Sequence, residues 1–144
     1  MTENPPGAVP TPAASRRTLR DLAWGSGVAV LSAAAWWAWL GWDDEYQVDP
    51  VTDVASGPYE AWQVAGCVVT LLVVGVVAAL RWRPFGTALV LPVAFTVAWS
   101  VTSAAEDETG LWAVGAVLVL IGSGAAALLV AAMVASVRRG REPR

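Results

Sequence analysis

The sequence predicts an all-α membrane protein, a four-transmembrane-helix bundle with N-terminus and C-terminus both cytoplasmic. Three observations lead there. Of 144 residues, 56% are hydrophobic and only 15% are charged, where a soluble domain keeps roughly a quarter of its residues charged. The apolar residues form long uncharged blocks, each long enough to cross a hydrocarbon core of about 30 Å as a helix. All nine basic residues are arginines, and they fall before the first block, between the second and third, or after the fourth.

Residues 1–20 read as a disordered, Pro-rich basic arm, because Pro5, Pro6, Pro10 and Pro12 lie among small residues that cannot build a core. Arg16, Arg17 and Arg20 then precede an uncharged run from Leu22 to Trp42, the first expected span. The arginine pair ahead of an apolar run also looks like an export signal, with Ala33, Ala34 and Ala35 as a small-residue cleavage site. The run is too long and too rich in tryptophan for a signal core, so a retained anchor is expected.

Asp43, Asp44, Glu45, Asp49 and Asp53 form an acidic loop ending near Glu60. The second span is expected over residues 61–80 and the third over 85–105, joined by a tight basic turn at Arg81, Trp82, Arg83 and Pro84. A second acidic turn, Glu106 to Gly110, leads to a fourth span over 111–137, which is longer than a straight crossing needs and must tilt or emerge. The transmembrane domain thus covers 21–137, and 138–144 is a basic cytoplasmic tail.

Orientation follows from the arginines, since cationic flanks are retained in the cytoplasm. Nine of the twelve acids then lie outside, the exceptions being Glu3, Asp21 and Glu142. Indoles prefer the headgroup level, and the tryptophans fit. Trp24 and Trp82 fall at inner ends, whereas Trp36, Trp37, Trp39, Trp42, Trp62, Trp99 and Trp112 fall at or near outer ends. A multi-pass protein of the plasma (inner) membrane is expected.

Helical spacing places Glu60, Gln63, Cys67 and Thr70 on one face of the second helix. Pro92, Thr96, Ser100 and Ser103 share a face of the third, which Pro92 is expected to kink. Together Glu60, Gln63, Cys67, Thr70, Thr96, Ser100 and Ser103 are the candidate residues of an outward-opening polar pocket. The plainer reading is that these groups bond neighbouring helices or their own backbone. Small-residue stripes at Gly25, Ala29, Ser32 and Trp36, and at Gly115, Gly122 and Ala126, are expected to face one another in a compact bundle.

Chemistry has little to build on. Histidine is absent and Cys67 is the single cysteine, which leaves no zinc, haem or iron–sulfur ligand set and no internal disulfide. The acids from Asp43 onward do not match an EF-hand, because the terminal glutamate position holds Val54. No phosphate loop, nucleophile elbow or His-based dyad occurs. No catalytic residue, cofactor or metal site is expected, and no basic patch points to nucleic acid.

At Gly57-Pro58-Tyr59-Glu60-Ala61-Trp62-Gln63-Val64, at Ala94-Phe95-Thr96-Val97-Ala98-Trp99-Ser100 and at Thr109-Gly110-Leu111-Trp112-Ala113-Val114-Gly115 the chain resembles the uncharacterised small four-helix integral membrane proteins of actinobacteria. The exclusive use of Arg over Lys fits a high-GC origin. The resemblance covers the chain from first to fourth helix and implies no activity, ligand or catalytic residue.

The expected role is therefore a non-enzymatic accessory, scaffold or oligomerising membrane subunit, whose partners are the lipid bilayer and a membrane protein or a second copy. The alternative is a small cation transporter or channel entered through the outer polar stripes. It lacks polar side chains in the inner half, and no ionised group is expected deep in any span.

Overall fold

The computed structural model describes residues 12–42, 47–48, 55–56, 59–107 and 110–140. Four helices account for most of them: α1 (Pro12–Trp39), α2 (Ala61–Arg81), α3 (Pro84–Glu106) and α4 (Trp112–Gly140). Between α1 and α2, β1 (Gln47–Val48) pairs antiparallel with β2 (Ala55–Ser56), Gln47 opposite Ser56 and Val48 opposite Ala55. This short ladder was not legible in the acidic loop. Asp43, Asp44, Glu45, Asp49 and Asp53 lie outside the described residues, as do residues 1–11 of the N-terminal arm.

The helix ends have local causes. α1 starts ten residues before the expected boundary, so residues 13–20, read from sequence as disordered arm, are helical. Pro12 is the first helical residue, a position where its missing N–H costs nothing and its fixed φ favours the helix. The Ala, Leu and Arg residues that follow are good helix formers. α2 opens with a capping box: Gln63 Oε1 accepts the Glu60 N–H at 2.6 Å, and the Glu60 carboxylate accepts the Gln63 N–H. Trp82 and Arg83 alone connect α2 to α3, where Pro84 takes the first position. α3 continues through Pro92 as one helix. Gly110, at φ +76°, makes the turn into α4, a conformation that glycine adopts without a steric penalty. Asp107 Oδ2 then accepts the Trp112 N–H at 2.6 Å.

α2, α3 and α4 are long and apolar enough to cross a membrane. α1 is 28 residues long, but its apolar segment is diluted by Gly25, Ser26, Gly27 and Ser32 and by four tryptophans. Large apolar side chains such as Val69, Val73, Leu89, Val101, Ile121 and Leu129 lie outward and exposed. A water-soluble bundle would turn such residues inward and show a polar outer face. The arrangement is compatible with a multi-pass membrane protein.

α3 is the hub, packing most extensively on α4 and α1 and also on α2. α1 also packs on α2, and α2 reaches α4, but α1 and α4 do not meet among the described residues. The small-residue stripes of α1 and α4 therefore do not face one another, because α3 stands between them. One core cluster joins Trp36, Leu40, Cys67, Phe95 and Ala98, and a second joins Val28, Ala78 and Leu91. Trp36 is 2% exposed and meets Tyr59 and Phe95 edge-on, so it is a core residue rather than an interfacial anchor. Trp37, Trp42, Trp62 and Trp112 are the exposed ones.

Candidate functional site

The polar face of α2 turns toward α1 and is consumed there by structural bonds. Gln63 is buried and closes the cap described above. Cys67, also buried, lies with its Sγ 4.0 Å from the Ala35 carbonyl. Thr70 donates to its own helix at Gly66 O, 2.8 Å, and accepts the Trp39 indole N–H at 3.0 Å. Each such neutral bond contributes about 1 kcal/mol. Glu60 is exposed, and its carboxylate also takes the Trp62 indole N–H.

The α3 face behaves differently. Thr96 is buried, and its Oγ1 has no partner among the described residues, a cost of roughly 1–3 kcal/mol for a desolvated hydroxyl. Trp36 Nε1 is orphaned in the same way. Ser100 and Ser103 are half-buried and make no hydrogen bond to another described residue. The seven sequence-chosen residues do not gather round one space. Two sit at the α2 N-cap, two on the α1–α2 seam and three on α3.

A cavity among the described residues is apolar. It is a cleft of about 510 Å³ between α2 and α4, floored by α3 and, toward the acidic end, by Trp36 and Leu40 of α1. Its walls include Val68, Leu72, Gly75 and Ala79 on one side and Leu118, Gly122, Ala126 and Ala131 on the other. Of the seven candidates, only Cys67 lines it. Two hydroxyls in its walls are turned to their own backbones: Ser123 Oγ donates to Val119 O at 2.6 Å and Thr87 Oγ1 to Arg83 O at 3.1 Å. The size lies within the range of small-molecule pockets.

A clasp at the basic end was missed from sequence. Asp21 Oδ2 lies 2.8 Å from the Arg83 guanidinium, while Asp21 Oδ1 accepts the Trp82 indole N–H at 2.9 Å. Arg138 reaches from α4 to the carbonyls of Leu80 and Trp82, and so satisfies acceptors left open at the end of α2. Three segments far apart in sequence are joined. The signal was available, since Asp21 is an acid set against the grain of an arginine-rich flank.

Trp–Gly contacts supply much of the helix packing. A Cβ on Gly66 would stand 2.6 Å from Trp39 Cη2, and one on Gly115 would stand 2.5 Å from Trp99 Cη2. The Trp82 ring would meet a Cβ on Gly86 at 3.1 Å and one on Gly25 at 3.7 Å. Glycine lets each indole lie against a helix backbone, where close van der Waals contact holds helices together without hydrophobic contrast.

Among the described residues, no three potential metal ligands come together. No family model matches the chain, and neither curated proteins nor solved structures show a significant match.

Proposed function

We propose that this chain is a non-enzymatic accessory or scaffold subunit of the plasma (inner) membrane that acts by packing against another membrane protein or a second copy of itself. In this reading it crosses the membrane four times with both termini in the cytoplasm. The observation that carries the role is the use made of the polar groups. Glu60 and Gln63 close a helix cap, and Thr70 and Ser32 bond backbone carbonyls of their own helices. What is left between the helices is an apolar cleft, whereas an ion path requires polar or charged lining at depth.

α4 supports a packing role. Only 11% of its most apolar window is buried, against 28% in α2 and 33% in α3, and Gly124 has nothing beside it. Small residues on a weakly covered helix suit close approach by a further helix. For topology, Asp21, Arg83 and Arg138 meet at one end of the bundle, so the three arginine-rich flanks share a side, as retention of positive charge requires.

Crosslinking in native membranes, followed by mass spectrometry of what co-purifies, tests the role. The expected result is a stoichiometric membrane partner or a discrete homo-oligomer. A lone monomer that conducts cations in vesicles would replace this reading with transport.

A further inference from the structure

We propose that the cleft between α2 and α4 holds one acyl chain of an acidic phospholipid, with the lipid phosphate against the arginines at the basic end. The inference rests on α2 and α4 spanning the membrane, and not on the orientation or on the protein partner.

Shape is the first argument. The α2 wall of the cleft runs from Val64 to Ala79, fifteen residues along, or about 22 Å at the helical rise. At roughly 30 Å³ for a group the size of a water molecule, the 510 Å³ accommodates about 17 methylene-sized groups. That is one long acyl chain. A second helix, about 10 Å across with its side chains, needs several times that volume over the same length.

Lining chemistry is the second. The walls are aliphatic and aromatic, and the Ser123 and Thr87 hydroxyls are occupied by their own backbones. Apart from Trp36 Nε1 toward the acidic end, these walls offer water no open partner, while an acyl chain recovers the dispersion contacts that an unfilled cleft forgoes.

Charge decides between an acidic lipid and any other. Arg138 spans from α4 to the Leu80 and Trp82 carbonyls, which puts it across both cleft walls just beyond Ala79 and Ala131. Arg81 and Arg139 flank it and are exposed. The nearby acid, Asp21, is engaged by Arg83 and Trp82. Basic residues grouped at one end of a helix pair attract an anionic headgroup.

Native mass spectrometry of the detergent-purified protein tests this, with phosphatidylglycerol, phosphatidylcholine of the same chains, and glycerophosphoglycerol as a headgroup without chains. One phosphatidylglycerol is expected to be retained over phosphatidylcholine, and the headgroup alone not at all. Replacing Arg81→Gln and Arg139→Gln together should weaken that preference by about fivefold per arginine. Gly122→Leu places a side chain in the cleft where nothing lies within 4 Å, and should abolish retention with helical content unchanged. Ala126→Leu provides the same test should the first variant misfold. Equal retention of both lipids, retention of the headgroup alone, or indifference to either class of variant would overturn the proposal. Release of the chain from membranes by alkaline washing would instead overturn the spanning reading beneath it.

Discussion

Trp39 donates its indole N–H to Thr70 Oγ1 at 3.0 Å while its ring lies against Gly66, one turn away on the same helix. A single side chain thus gives α1 both a shape contact and a polar contact on α2. The two depend on each other, since the ring reaches Thr70 only because position 66 has no Cβ. Thr70 also donates to Gly66 O, so the backbone beneath the ring is tied into the same contact.

Gly66→Ala is therefore expected to destabilise the bundle by about 1–3 kcal/mol, the range for overpacking a close-fitted site. Thermal unfolding in detergent measures it. Gly122→Ala is the contrast, because its Cβ enters open space and the gain in helix propensity should stabilise by about 0.5–1 kcal/mol. Equal effects at the two positions would contradict the packing described for Trp39.

Thr70→Val keeps the shape of the side chain and removes both hydrogen bonds, leaving the Trp39 indole without its acceptor. A loss of about 1–2 kcal/mol is expected, with Thr70→Ser near the parent. Should Val and Ser behave alike, the indole bond contributes nothing.

Gly115→Ala should clash with Trp99 as Gly66→Ala does with Trp39. Combining Gly115→Ala with Trp99→Leu tests the contact directly. The pair is expected to lose less stability than the sum of the two single changes, by about 0.5–3 kcal/mol, because the clash disappears with the ring. Additive losses would place the damage elsewhere.

Asp21→Asn removes the ion pair with Arg83 and keeps an oxygen for the Trp82 indole. The Arg83 side chain is 62% exposed, so screening holds the expected loss below about 1 kcal/mol. Asp21→Ala also removes the indole acceptor and should cost more. A melting comparison of the two variants separates charge from hydrogen bond.

Single cysteines in a Cys67→Ala background examine topology. Ser56→Cys is expected to react with a membrane-impermeant maleimide added outside cells, and Gly140→Cys only after permeabilisation. The reverse pattern would invert the proposed orientation.

Much of the architecture was legible in the chain. The runs that became α2, α3 and α4 stood out because spanning a membrane demands some twenty uncharged residues, a constraint that acts locally along the sequence. The grouping of Arg83 and Arg138 at one end was foreshadowed by charge placement alone. α1 was the least well bounded, as its helix extends back to Pro12 through residues that look like tail. Proline reads as a helix breaker in general, yet it serves as a first residue.

The candidate site was legible as a pattern and not as a place. Spacing put Gln63, Cys67 and Thr70 on one face and Thr96, Ser100 and Ser103 on another, but the rotation of a helix about its axis depends on what it packs against. Here Gly66 accepted the Trp39 ring and turned the α2 stripe to α1, where Thr70 bonds Trp39. Sequence determined which segments are long and apolar enough to cross a membrane and which ends carry charge, because hydrophobic length and arginine placement are properties of each segment alone. Only the tertiary structure decided that α3 separates α1 from α4 and that an apolar cleft opens between α2 and α4, because both follow from how side-chain volumes on different helices fit together.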